Sequence, residues 1–353
     1  MEALYALVIA GGRGARFWPL SRRRKPKQCL ELGENDAALV ATINRILPVI
    51  PMERILVVTG REMEASVRSL LPELPRENVL VEPSGRNTAP CIALGAVEIG
   101  KRCLEAVMAV FPADHHIGNP QMLHKAILAA AQAAKATNSF VTIGITPTRP
   151  ETGFGYLEVG PEVGKWNDLI LRNVDRFREK PGPEEAQRFV DSGHFLWNSG
   201  MFIFTVEGIR DAYRRFLPRT SEALEKIAQN PETLESEWGN MEATSIDYGI
   251  MERCRFIYTV PCDLDWSDLG TWPAAAESFP RVQGGRALAG RIFAKDTSGC
   301  VIYSPDKTVV LIGVDDLVVV DTDDALLVMK SDRSAEVAET VRELEALGLD
   351  ELT

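Results

Sequence analysis

The segment Ala10-Gly11-Gly12-Arg13-Gly14-Ala15-Arg16-Phe17-Trp18-Pro19 sets glycines directly after an apolar run, Ala3 to Ala10. Glycines in that place let bare backbone N–H groups approach a polyphosphate, because no Cβ stands in the way. Cations crowd the same stretch: Arg13, Arg16, Arg22, Arg23, Arg24, Lys25 and Lys27. The loop lacks the Gly-Lys-Ser/Thr ending of a Walker A motif, and a dinucleotide fingerprint fails at Phe17, where a small residue is needed. A glycine turn joined to so many cations suits a leaving pyrophosphate, whose growing charge must be neutralised in the transition state. A solvated basic loop is the plainer alternative. Asp114 follows the apolar run Ala106 to Phe111, and carboxylates at strand ends of parallel sheets point into the ligand crevice. His115 and His116 adjoin it without the i, i+4 spacing of a helical zinc pair, so they read as packing or supporting groups.

These residues need a scaffold. Ala3 to Ala10, Arg54 to Thr59, Asn78 to Glu82, Ala106 to Phe111 and Phe140 to Ile145 are short β-rich runs. Helical patterns at Ile43 to Val49, Glu62 to Leu70, Ala89 to Leu104 and Gln121 to Lys135 separate them. Strands alternating with helices predict an α/β, Rossmann-like domain with a mostly parallel mixed sheet covered on both faces, over residues 1–280. From about residue 288 the texture changes to closely spaced apolar clusters, Val301 to Tyr303, Val309 to Ile312, Leu317 to Val320 and Leu326 to Met329. Turn-prone pairs, Pro305-Asp306, Asp315-Asp316 and Asp323-Asp324, divide them and read as solvated turns. The pattern predicts a small β-helix, ahead of a meander, over residues 288–353, joined by a linker from Ser278 to Arg286. A final helix spans Ser334 to Leu347, with Val337, Val341 and Leu344 on one face; that stripe leaves a homodimer open, although an apolar stripe more often faces a core.

At 353 residues, 45% hydrophobic, the chain can bury the cores of about two domains. A net charge of −11 argues against a nucleic-acid or anionic-membrane surface, so any phosphate must be captured by a local cluster of cations. No apolar stretch approaches a membrane span, and Met1 to Ala10 carries no basic leader. Six scattered cysteines without CxxC spacing read as reduced thiols of a cytoplasmic protein.

Gly11 to Arg22 (GGRGARFWPLSR), followed by Pro26-Lys27-Gln28, resembles the signature of the sugar-nucleotide pyrophosphorylases, in the mannose-1-phosphate guanylyltransferase branch. Glu82 to Pro90 (EPSGRNTAP) and Pro112-Ala113-Asp114-His115 are similar to that branch's second and third motifs. Further matches are Thr152 to Tyr156 (TGFGY), Glu179-Lys180-Pro181, Asn198 to Phe202 (NSGMF), Ser245 to Tyr248 (SIDY) and Trp266 to Gly270 (WSDLG). The likeness covers roughly residues 3 to 275, and the β-rich tail fits the family's small C-terminal domain. Ala15 departs from it, standing where the family usually has threonine. Some relatives continue into a cupin-type isomerase domain; isomerase activity is not expected here.

The resemblance implies transfer of GMP from GTP to mannose 1-phosphate, giving GDP-mannose and pyrophosphate. Such a reaction needs no side-chain nucleophile, since the attacking phosphate is already ionised and catalysis reduces to alignment and charge neutralisation. By resemblance Asp114 and Asp268 hold Mg²⁺, an oxygen-loving ion that bridges phosphates. Arg16 and Lys27 are expected on the β- and γ-phosphates and Lys180 near the α-phosphate or the sugar phosphate, arginine as a fixed clamp and lysine as a mobile charge. Gly11, Gly12, Arg13, Gly14 and Pro112 are expected around the nucleotide, with Asn87, Thr88 and the Gly12 backbone reading the base. Gly155, Tyr156, Glu179 and Asn198 are expected around the hexose, with the Tyr156 ring stacking on it. The rival readings are a pyrophosphorylase for another sugar phosphate or nucleotide and a non-catalytic sensor of the same fold.

Overall fold

The computed structural model describes residues 3–23, 25–30 and 36–353; of the cations singled out above, Arg24 lies outside the described residues. In chain order the first strands are β1 (Leu4–Ala10), β2 (Ile55–Gly60), β3 (Val79–Glu82), β4 (Val107–Pro112), β5 (His116–Ile117) and β6 (Phe140–Ile145). There follow β7 (Gly155–Trp166), β8 (Leu169–Glu179), β9 (Phe195–Thr205), β10 (Ile257–Cys262) and β11 (Trp266–Ser267). Apart from β5 and β11, which pair with each other, they form one sheet in the order β3-β2-β1-β4-β9-β6-β10-β8-β7. β3, β2, β1 and β4 are parallel neighbours, as are β6 and β10, and only β9 and β8 run the other way.

Strand alternation explains the two covered faces. Ala6, Val8 and Ala10 of β1 pack into one apolar cluster with the helices Ala38–Ile46 and Pro120–Thr137, while Leu7 between them joins the opposite cluster with the helix Thr88–Arg102. A Cβ on Gly95 would stand 2.4 Å from Leu7 Cδ2, so glycine there lets the helix Thr88–Arg102 settle onto β1. The parallel strands β1, β2, β3 and β4 therefore end together, at the edge where the glycine loop, Glu82 and Asp114 emerge.

The tail holds β12 (Arg281–Val282), β13 (Gly285–Lys295), β14 (Cys300–Ile312), β15 (Leu317–Asp321) and β16 (Leu326–Lys330). β13, β14 and β15 are parallel neighbours stacked as coils of a β-helix, closed by the antiparallel β16. Two expectations need correction. Pro305-Asp306 does not break the chain into two strands: it lies inside β14, where the register against β13 shifts between Ala289 and Arg291, so the pair marks a bulge. Nor is 278–286 a free linker, since β12 and the start of β13 form a hairpin within it.

The tail shares a core with the glycine loop. Phe17, Leu30, Leu269 and Trp272 are buried with Val301, Val318 and Val320. The last helix, Val337–Ala346, uses its stripe within the chain, with Val337 and Val341 buried against Trp18. No helix among the described residues is long and apolar enough to cross a membrane.

Candidate active site

Lys27 is the centre of the site. It is 5% exposed, and its Nζ donates to Asp114 Oδ2 at 2.7 Å and to the Asp268 carbonyl oxygen at 2.9 Å. Gly14 makes this possible, since a Cβ there would lie 2.3 Å from Lys27 Cβ, and its φ of 64° is itself a left-handed conformation. Burial pushes the Asp114 carboxyl up, but the Lys27 ammonium, His115 and hydrogen bonds outweigh it and hold the carboxyl below its ordinary value. His115 is held below its own ordinary value by burial, against the pull of Asp114 and Asp268. Its Nδ1 accepts the indole N–H of Trp266 at 3.2 Å, which orients the ring as a supporting group beside Asp114.

A short ribbon that the sequence reading missed brings the two carboxylates together. β5 pairs with β11, matching His116 with Ser267, so Asp114 just before one strand and Asp268 just after the other meet at the same end. Asp268 Oδ1 also accepts the Gly270 N–H at 2.9 Å, and a Cβ on Gly270 would collide with Asp268 Oδ2 at 2.3 Å.

Two cavities meet at these carboxylates. One, of about 300 Å³, is lined by Gly14, Arg16 and Lys27 from the glycine loop together with Asp114, Asp268 and Gly270. The other, of about 310 Å³, shares Asp114, His115 and Asp268 and continues past Gly11, Thr88 and Pro112 to Gly155, Glu179 and Asn198. Phe154, Trp266 and Asp247 also line it, and none of the three had been assigned a role. Asp247 was legible as the acid of the Ser-Ile-Asp-Tyr motif.

The hexose set divides. Gly155 pairs with Glu179 across β7 and β8, and a Cβ on it would lie 2.5 Å from Glu179 Oε2, so glycine makes room for that carboxylate. Asn198 Nδ2 donates to Asp247 Oδ1 at 3.2 Å, and its Oδ1 accepts the Thr142 hydroxyl at 2.9 Å. Tyr156 is a correction. Strand alternation turns it into the core, fully buried with its ring 5.3 Å from Phe189, and its oxygen accepts the Glu151 N–H at 3.0 Å. It cannot stack on a ligand from there.

Burial, and then the Asp247 charge, push the Glu179 carboxyl from 4.5 up to about 7, while Lys180 at 3.3 Å pulls the other way. A raised carboxyl binds its proton more tightly folded than unfolded, so its contribution to stability is present below about pH 4.5 and lost as pH rises through about 7. A shift of this size corresponds to at most about 3–4 kcal/mol. We therefore expect Glu179→Gln to stabilise the ligand-free protein at pH 8 relative to its effect at pH 5, by chemical denaturation. An equal change at both pH values would contradict the assignment.

The nucleotide motifs are latched to one another. Asn87, exposed at φ 70°, caps the helix Thr88–Arg102 through its Oδ1 on the Thr88 N–H, and Thr88 Oγ1 accepts the Ile246 N–H of the Ser-Ile-Asp-Tyr segment at 2.9 Å. Gly12 has φ 89° and open space where a side chain would be. Arg16 is exposed, with Nη1 on the Gly270 carbonyl at 3.2 Å. Lys180 is about half exposed. Arg13 turns instead toward the tail, where Glu345 of the last helix pairs with it and, at 3.0 Å, with Arg23. Asp324, read as a solvated turn residue, receives Arg22 at 2.6 Å.

Residues 5–283 match the nucleotidyl transferase family, and residues 290–344 match the mannose-phosphate isomerase/GMP-like β-helix domain. The chain belongs to the nucleotidyl transferase family. Among its relatives, the xanthan biosynthesis protein XanB of Xanthomonas campestris is 34% identical across 100% of this chain and 76% of that protein. An Escherichia coli mannose-1-phosphate guanylyltransferase is 37% identical across 96% of this chain and 73% of its own. A solved structure from Thermus thermophilus, described as a mannose-1-phosphate geranyltransferase, superposes with a TM-score of 0.87 at 37% identity, over 97% of this chain and 99% of that one. As a nucleotidyl transferase with this β-helix, the chain has the two-part architecture that its sequence predicted.

Proposed function

We propose that this nucleotidyl transferase moves the GMP unit of GTP onto mannose 1-phosphate, releasing pyrophosphate and forming GDP-mannose. One observation carries the reading: two cavities, one cationic and glycine-lined, the other walled by Phe154, Trp266 and the acceptors Glu179 and Asn198, meet at Asp114 and Asp268. A triphosphate tail in the first and a hexose in the second bring the attacking phosphate oxygen and the leaving pyrophosphate to opposite sides of one phosphorus. Alignment of that kind, with charge neutralised where it grows, is the whole catalytic requirement.

Arg16 and Lys27 take the β- and γ-phosphates, and Lys180 sits at the hexose side, where its charge can follow the phosphate that is transferred. Asp114 and Asp268 fit a magnesium ion, because two carboxylates facing a shared space beside the phosphate cavity leave positions for phosphate oxygens and water. Bound there, magnesium would supply charge neutralisation to the phosphates. Lys27 meanwhile keeps the Asp114 carboxylate compensated in the ligand-free protein, which accounts for a lysine buried this deeply. Six free thiols and a net charge of −11 suit a cytoplasmic enzyme of small anionic substrates captured by a local basic loop.

The reverse reaction tests this reading. The chain with magnesium, pyrophosphate and GDP-mannose should form GTP and mannose 1-phosphate. No GTP from GDP-mannose, with triphosphate formed from a different sugar nucleotide, would overturn it.

A further inference from the structure

The last helix joins the tail to the glycine loop at both of its ends. Its first turn lends Ala338 to the wall of the cationic cavity, and Val337 and Val341 lie against Trp18. About 15 Å further on, its last turn holds Glu343 and Glu345 and no basic residue. The negative pole of the helix opposes a carboxylate in that position, so cations must come from elsewhere. They come from the basic loop: Arg13 and Arg23 both pair with Glu345, and Arg23 also meets Asp350 at 3.1 Å. The Arg23 and Arg13 guanidiniums hold the Glu345 carboxyl below its ordinary value. Beside them the Trp18 indole N–H donates to the Leu352 carbonyl at 2.6 Å. Arg13 stands between Gly12 and Gly14, which have φ 89° and 64°. Two glycines leave that turn wide backbone freedom, and Arg13 is its one side chain that a neighbour can hold.

We infer that Glu345 is a positioning residue for the transfer reaction. This rests on the reading of the cationic cavity as the seat of the triphosphate: through Arg13 and Arg23, Glu345 fixes the glycine loop, and with it Arg16, in the form that receives the phosphates. Arg13 is not part of that cavity's wall, so its charge acts on the loop and not on the ligand. A loop ordered in advance binds more tightly than one that its ligand must order. The β-helix domain thereby sets part of the nucleotide affinity of the domain that precedes it. Were Glu345 instead holding Arg13 away from the phosphates, freeing Arg13 would tighten nucleotide binding, so the sign of the effect separates the two arrangements.

The test compares the full chain with Glu345→Gln, which keeps the shape and an accepting oxygen but removes the charge, by pyrophosphate release with magnesium. KM for GTP should rise about three- to tenfold, the scale of a partly exposed ion-pair network, with kcat and the KM for mannose 1-phosphate within about twofold of the unaltered protein. Arg13→Ala should raise the KM for GTP likewise, and the double variant should exceed Glu345→Gln by less than about twofold, because the two groups act as one unit. Amide hydrogen exchange at residues 11–17 of the ligand-free chain should quicken in Glu345→Gln by about three- to tenfold. An unchanged or lowered KM for GTP, an equal rise in both KM values, or additive effects in the double variant overturns the role. Turnover of a different triphosphate would bring down the GTP reading instead, and the same comparison would then be made with that triphosphate. Unchanged exchange at residues 11–17 overturns the role of Glu345 whatever the substrate, so the two failures are distinguishable.

Discussion

Asp268→Asn is expected to lower kcat by about three orders of magnitude while the melting temperature stays within a few degrees of the unaltered protein. The asparagine Oδ1 can still accept the Gly270 N–H that Asp268 Oδ1 holds at 2.9 Å, and the main-chain carbonyl that receives Lys27 is untouched. What disappears is one negative charge at the meeting point of the two cavities. Nucleotide KM measured at several magnesium concentrations separates this from a packing defect, because a lost ion ligand is partly restored by more magnesium and a packing defect is not. Near-normal kcat with a normal melting curve would refute the role.

Lys27→Met is expected to cost about 10²- to 10³-fold in kcat, since a charge placed against the leaving group contributes on that scale. The methionine stem fills most of the buried volume beside Gly14 and Phe17, where Lys27 Nζ lies 5.2 Å from the Phe17 ring centre. Stability should fall by no more than about 1–3 kcal/mol, because Lys27 is buried but Asp114, with its side chain 33% exposed, keeps access to water once the ammonium is gone. Lys27→Arg should not restore the rate, because a planar fork cannot occupy the narrow space between Asp114 and the Asp268 carbonyl. An unchanged rate at saturating substrate would remove Lys27 from the leaving-group site.

What the sequence made legible follows physical lines. β6 runs from Phe140 to Ile145, the bounds expected, because a strand buried on both faces reads as a nearly continuous run of β-branched and apolar residues, with the buried Thr142 hydroxyl satisfied by Asn198. The helix expected from Ala89 starts at Thr88, where Asn87 supplies the cap. β7 and β8 were missed, because their hairpin mixes buried and exposed charged positions without a period of two and carries Gly160, Pro161 and Gly164. A signal was present in Asn167-Asp168, both at positive φ, the pair favoured in a two-residue hairpin turn. The site was legible as loop motifs but not as a geometry. Nothing in the spacing of Asp114 and Asp268 announces the ribbon of β5 and β11 that joins them, as pairs of two-residue strands carry no periodicity. Tyr156 was misread because a motif gives residue identity without facing, and its neighbour Gly155 is the one that opens onto the cavity. The partnership of Arg13, Arg22 and Arg23 with Glu345, Asp324 and Asp350 spans more than 300 positions and is invisible to any local reading.

The most direct test of the central claim is pyrophosphate release with magnesium across the four nucleoside triphosphates, each paired with the 1-phosphates of mannose, glucose, galactose and N-acetylglucosamine. Release confined to GTP with mannose 1-phosphate is the predicted result, and release with a different pair, or with none, would contradict it.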